Sequence, residues 1–217
     1  MLMKLWFVLF LVVAACGRAV PDNARIVIAG DSIMAWNRSQ GGAVAQQLEP
    51  RLGEQVGDVS LAFARVSGGQ GPLNIANQLA NVRADWIVLN GGANDLGRAC
   101  GCSGCLPALR GLVSEDGTRG DIPELVTQLR SRGAKVLWVD YYTAPRFAGT
   151  RCDTLYQTFQ NRLQRMALAD AGVVVLDLDT VFDPDDLRLF DRDLVHPSLA
   201  GSRKIAQEIA GVIGPRL

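Results

Sequence analysis

This 217-residue chain contains a single histidine and carries no net charge. Twenty-two basic residues balance twenty-two acidic ones, and no basic patch large enough to grip a phosphate backbone stands out. Nucleic-acid binding is set aside on that ground. No stretch approaches the roughly 20 apolar residues that a bilayer-spanning helix needs. Internal repeats and low-complexity tracts are also absent. With one imidazole, any mechanism that needs a histidine base must use His196.

What is present suits one α/β domain. At 48% hydrophobic residues the chain can bury a sizeable core. The N-terminus stands apart from it. Lys4 makes a short positive region, Leu5 to Val13 is an unbroken apolar run, and Ala14 and Ala15 precede Cys16. Residues 1–15 therefore read as a secretory signal. Val13-Ala14-Ala15-Cys16 is similar to a bacterial lipoprotein box, in which the cysteine is lipidated and becomes the new N-terminus. Ordinary signal cleavage at the same bond is the alternative. Of five cysteines, lipidation of Cys16 leaves an even four: Cys100, Cys102, Cys105 and Cys152. That arithmetic favours the lipoprotein, with 16–23 as a short lipidated tether and 24–217 as the domain. At about 3.5 Å per extended residue the tether would hold the domain within roughly 30 Å of a membrane, in the bacterial cell envelope.

In an oxidising compartment the four remaining thiols are expected to form disulfides. A Cys100–Cys102 bridge would strain a very tight loop, so Cys152 is expected to pair with Cys100 or Cys102. A four-thiolate zinc site is the minority alternative.

From Arg25 onward, short apolar runs alternate with amphipathic stretches, as in parallel α/β folds. Strands are expected over 26–29, 59–66, 86–90, 135–142 and 173–178. Leu155, Phe159, Leu163 and Met166 recur at helical spacing, and a last helix should start near Ser198 and bury Ile205, Ile209, Val212 and Ile213. Residues 97–120, rich in glycine and cysteine, read as a long loop with one short helix, and such loops are often functional. Three expected strands run into Gly30, Gly68-Gly69 and Gly91-Gly92, at the carboxyl ends where open α/β sheets bind ligands.

Ser32 follows the first expected strand, while Asp193 and His196 lie three residues apart near the other end. That pattern suggests an acyl-transfer triad. A serine hydroxyl needs an adjacent base to become nucleophilic, and the base needs a carboxylate to fix its tautomer. The Gly-x-Ser-x-Gly elbow of α/β-hydrolases is missing around Ser32.

Four segments taken together carry a more specific likeness: Gly30-Asp31-Ser32-Ile33, Val66-Ser67-Gly68-Gly69, Gly92-Ala93-Asn94-Asp95 and Asp193-Leu194-Val195-His196. In this order they resemble the blocks of the SGNH hydrolases, also called GDSL-type esterases, across the whole mature domain. The resemblance implies a flavodoxin-like three-layer α/β/α sandwich with a five-stranded parallel sheet. It further implies ester hydrolysis through an acyl-Ser32 intermediate, with His196 as base and Asp193 as its partner, without metal or organic cofactor. Asp191 is the competing carboxylate, and the three-residue spacing selects Asp193.

The family pattern implies three oxyanion donors: the N–H groups of Ser32 and Gly68 and the side chain of Asn94, with Gly69 an alternative to Gly68. Asp31 and Asp95 are expected to brace their loops. Trp36, Asn37, Tyr141 and Tyr142 are expected either to line the substrate pocket or to pack in the core. The substrate would be a small-molecule, lipid or glycan ester. Acyl transfer to a sugar or lipid hydroxyl, deacetylation of polysaccharide, and a non-catalytic binding lipoprotein are the alternatives. With a histidine base, activity should rise with pH through roughly 6 to 7.5.

Overall fold

The computed structural model describes residues 20–217. The expected signal segment and Cys16 lie outside the described residues. The apolar run that opens the domain becomes β1 (Ile26–Ala29), whose four residues are all buried. It pairs in parallel with β2 (Val56–Asp58) on one side and β3 (Trp86–Leu89) on the other. Beyond β3 follow β4 (Lys135–Val139) and β5 (Val173–Leu176), giving one parallel sheet in the order β2-β1-β3-β4-β5. β1 and β3 are continuously apolar and buried because helices cover both faces of a parallel sheet. The chain winds from β1 to one side and then returns to the other, so the crevice at the ends of β1 and β3 is the place for a ligand.

Eight helices are described: α1 (Ser32–Ala35), α2 (Val44–Leu52), α3 (Ile75–Gln78), α4 (Ala93–Cys100), α5 (Leu106–Leu112), α6 (Asp121–Ser131), α7 (Arg151–Ala167) and α8 (Leu199–Ile213). α2 packs against α8, α6 against β4, and α7 against β5. The expected helical face of α7 holds: Leu155, Phe159, Leu163 and Met166 are buried. Ser198 caps α8, its hydroxyl accepting the N–H groups of Ala200 and Gly201. None of the described helices is long and apolar enough to cross a membrane.

One expectation needs correction. The second strand is 56–58, not 59–66. Gly57 and Asp58 look like turn residues, yet Gly57 is needed inside the strand because a Cβ there would lie 2.9 Å from Val20. The apolar residues that follow form a loop in which Phe63 takes a φ of +66°, outside the β region. The stretch 97–120 carries the one short helix expected there, α5, and begins with the end of α4. The first strand ends where expected, and the third, fourth and fifth expected strands overrun by one to three residues at their carboxyl ends. Asn90, Asp140, Tyr141 and Tyr142 stay buried beyond the strand ends, so burial outlasts the strand.

The four cysteines form two disulfides, Cys100–Cys105 and Cys102–Cys152. Cys152 thus takes one of its two expected partners, and no sulfur of the four is left to ligate zinc.

Candidate active site

The chain leaves β1 through Gly30, whose φ of +120° suits only glycine. A Cβ at this position would stand 2.1 Å from the side-chain oxygen of Asn90. That close approach lets Asn90, at the end of β3, accept the N–H of Asp31 at 3.0 Å and donate to its carboxylate at 2.8 Å. Asp31 also caps α1 by accepting the N–H of Ile33 at 3.0 Å. Tyr141 donates its hydroxyl to the second Asp31 oxygen at 2.5 Å and accepts the N–H of Ala93 at 3.2 Å. Burial pushes the Asp31 carboxyl up, although the bonds from Tyr141, Ile33 and Asn90 pull it down. Ser32 therefore opens a one-turn helix that is held from beneath at two strand ends.

From the opposite end of the chain, the loop before α8 brings in Asp193 and His196. The Asp193 carboxylate accepts the N–H groups of Val195 at 3.0 Å and His196 at 2.9 Å, closing a tight turn. Its other oxygen lies 2.5 Å from His196 Nδ1, and His196 Nε2 lies 2.9 Å from Ser32 Oγ. Burial alone would raise Asp193, but the bonds from the His196 backbone, the His196 ring and the Val195 N–H hold it below its ordinary value. An ionised carboxylate at Nδ1 places the proton there and leaves Nε2 as the acceptor for the serine proton.

Ser32 and His196 open onto a cavity of about 260 Å³. Its walls include Asn94 and Gly97 of α4, Tyr141 and Tyr142 after β4, Phe147, and Tyr156 of α7. Burial pushes the Tyr156 hydroxyl to about 12, so this lining residue is neutral. Asn94 donates one amide hydrogen to the Ala64 carbonyl at 3.0 Å. Its second amide hydrogen has no partner among the described residues.

A family model described as the GDSL-like Lipase/Acylhydrolase family matches residues 28–204. The chain belongs to this family. Solved structures share the fold of this GDSL-like hydrolase at low identity. TesA matches with a TM-score of 0.63 and 17% identity, covering 88% of this chain and 99% of that one. A lipase from a goat rumen metagenome matches at 0.64 and 18%, covering 87% and 96%. A catalytic mutant of Axe2, an acetylxylan esterase from Geobacillus stearothermophilus, matches at 0.64 and 16%, covering 88% and 94%. No curated protein matches at the sequence level.

Of the residues singled out in the sequence, the fold of this GDSL-like hydrolase brings Ser32, Asn94, Asp193 and His196 to one place. Gly68 is elsewhere. It lines neighbouring surface hollows with Ser67 and Asp121, and one of these also holds Arg65, Asp95 and Arg98. Position 69 requires glycine, since a Cβ there would lie 2.1 Å from the Leu73 carbonyl oxygen. The segment that meets the Asn94 amide is Ala64, whose own N–H is turned to the Leu61 carbonyl at 3.1 Å.

Asp95 accepts the N–H groups of Ser67 at 2.8 Å and Val66 at 3.0 Å, bracing that loop, and burial raises its carboxyl to about 6. Asn37 donates to the Pro197 carbonyl and to Ser202 Oγ, both at 3.0 Å, and does not line the cavity. Trp36 does not line it either. It stacks on His196, and the carboxylate that receives its indole N–H is Asp191. The sequence offered no signal for that contact, because the partners are 160 and 155 positions away. Among the described residues no cluster of His, Cys, Asp or Glu has the geometry to hold a metal ion.

Proposed function

We propose that the chain is a serine esterase that cleaves carboxylic esters of medium-length acyl groups through an acyl-Ser32 intermediate. The observation that carries this reading is the in-line pair of contacts, 2.9 Å from Ser32 Oγ to His196 Nε2 and 2.5 Å from Nδ1 to Asp193. His196 takes the serine proton as Oγ attacks the ester carbonyl, then gives it to the departing alcohol. Water, activated by the same nitrogen, releases the acid and restores Ser32. The Ser32 N–H and the Asn94 amide receive the negative oxygen of the tetrahedral intermediate. One such donor is worth about 3 to 4 kcal/mol.

The cavity argues for the acyl length. Its volume is roughly eight times the ~30 Å³ that a water molecule occupies in the liquid. An acetyl group would leave most of it empty, and a chain of six to eight carbons would fill it. Most of the wall is apolar or aromatic, as an acyl chain requires. Export and lipidation at Cys16 belong to the same proposal. They rest on the apolar N-terminal run and on the even number of cysteines left in the domain. Mass spectrometry of the mature protein expressed in a bacterium tests them: a diacyl-cysteine at position 16 is expected, and an unmodified N-terminus would refute it.

Hydrolysis of p-nitrophenyl esters from acetate to decanoate tests the function. Turnover should peak between hexanoate and octanoate and fall by at least about a thousandfold in Ser32→Ala. Equal rates in the folded variant and the wild type would end the proposal, and a maximum at acetate would end the chain-length reading.

A further inference from the structure

His196 is held on three sides, and only two of them belong to the triad. Its edges meet Ser32 and Asp193. Its face meets the indole of Trp36, with ring centroids 3.7 Å apart and planes 5° from parallel. Trp36 closes the single turn of α1: its N–H donates to the Ser32 carbonyl at 2.8 Å. The nucleophile and the stacking ring therefore ride on the same turn, one helical step apart. The indole is fixed in its own plane as well, since Nε1–H donates to the Asp191 carboxylate at 2.7 Å. Asp191 in turn donates its backbone N–H to the His196 carbonyl at 2.8 Å, and its own carbonyl accepts the N–H of Leu194. Leu194 sits at a φ of +58°, a costly conformation for a branched residue that this closed turn imposes.

Building on the esterase reading above, we propose that Trp36 and Asp191 are positioning residues for the His196 base. Rotation of an imidazole about its terminal side-chain bond is soft, with broad minima. Two hydrogen bonds at the ring edges leave the plane free to rock. A parallel, stacked ring at van der Waals distance removes that freedom and keeps both nitrogens in line with Oγ and the Asp193 oxygen. The indole face also favours the cationic ring that forms when the serine proton is taken, as a cation over an aromatic face is attracted. The Asp191 bond stops the indole from sliding. The Trp36–Asp191–His196 circuit thus couples the nucleophile turn to the base loop through a side-chain plane.

The test compares Trp36→Leu, Trp36→Phe and Asp191→Asn by ester kinetics and by NMR of the chain labelled with nitrogen-15 histidine. The single histidine makes every imidazole signal assignable without ambiguity. In Trp36→Leu, kcat should fall 10- to 100-fold with KM within threefold, and the downfield Nδ1–H signal should weaken through exchange with water. Trp36→Phe, which keeps a stacked ring, should recover at least a third of the wild-type kcat and the Nδ1–H signal. Asp191→Asn, which leaves the stack in place, should lose three- to tenfold in kcat and guards against a leucine variant that fails to fold. Wild-type kcat together with an unchanged Nδ1–H signal in a folded Trp36→Leu would overturn the proposal. A loss that appears in KM alone would do the same. If the wild type hydrolyses no ester, the esterase reading falls, and the Nδ1–H signal still decides whether Trp36 holds the ring.

Discussion

The two walls of the active-site cavity are built by different means. The nucleophile wall, from β1 into α1, is held by a buried hydrogen-bond network. Gln78 accepts the N–H of Gly30 at 2.9 Å, Asn90 braces Asp31, and Tyr141 donates to the far oxygen of Asp31. The opposite wall, from α4 and the start of α7, is fastened by covalent bonds. Cys102–Cys152 ties the turn after α4 to the first turn of α7, which presents Asp153 and Tyr156 to the cavity. Proton transfer tolerates errors of only about 0.5 Å, and a buried network in which each partner fixes the next supplies that precision. An acyl wall has merely to stay in place while different chains pass. A disulfide at its outer edge achieves this where a glycine-rich turn joins α4 to α5.

The contrast can be broken first on the hydrogen-bonded side. Asp31→Ala removes the acceptor for Tyr141, Asn90 and Ile33 together, and buried groups without partners are expensive. Stability in urea should fall by about 3 kcal/mol, with kcat down more than tenfold at every chain length. A variant as stable and active as the wild type would show that the network is decorative. On the other wall, Cys102→Ser with Cys152→Ser opens a loop of 50 residues, for which about 3 kcal/mol of stability is expected to go. Here the kinetic outcome should differ: acetate turnover stays within threefold while octanoate turnover drops. Equal losses on both esters would mean that the staple serves the triad rather than the acyl wall.

A finer cut uses Gly97, which lines the cavity and has open space where a Cβ would stand. Gly97→Leu should shift the preference toward short chains, lowering kcat/KM for octanoate about tenfold, roughly 1.4 kcal/mol in the barrier. Acetate should be unaffected. A uniform change across the ester series would place the acyl chain elsewhere.

The smallest effect concerns pH. Burial raises Asp95 to about 6 in the folded chain, against about 4 when unfolded. Between those values the folded state holds more protons, so the contribution of Asp95 to stability falls as pH rises from about 4 to 6 and is level above. The melting temperature of the wild type relative to Asp95→Asn should therefore drop between pH 4.5 and 7.5. Parallel curves would contradict the assignment.

What could be read in the sequence follows the same division. Ser32, Asp193 and His196 were legible because a lone histidine, a three-residue spacing and a serine after a buried strand leave few arrangements. The central strands were legible because fully buried parallel strands are continuously apolar. β2 was not: it is three residues long, lies at the sheet edge and includes Gly57 and Asp58, so neither length nor composition marks it. The clamp on His196 was illegible for another reason. Trp36 and Asp191 meet only after the fold closes, and nothing local to either residue encodes the meeting.

The central claim is that Ser32 is a nucleophile activated by His196, and one measurement addresses it directly. The folded domain would be treated with a fluorophosphonate ester and the modified residue located by peptide mass spectrometry. A single adduct on Ser32 is expected, absent in Ser32→Ala and formed at least a hundredfold more slowly in folded His196→Ala. An adduct on another serine, or labelling of Ser32 that is indifferent to His196, would contradict the account.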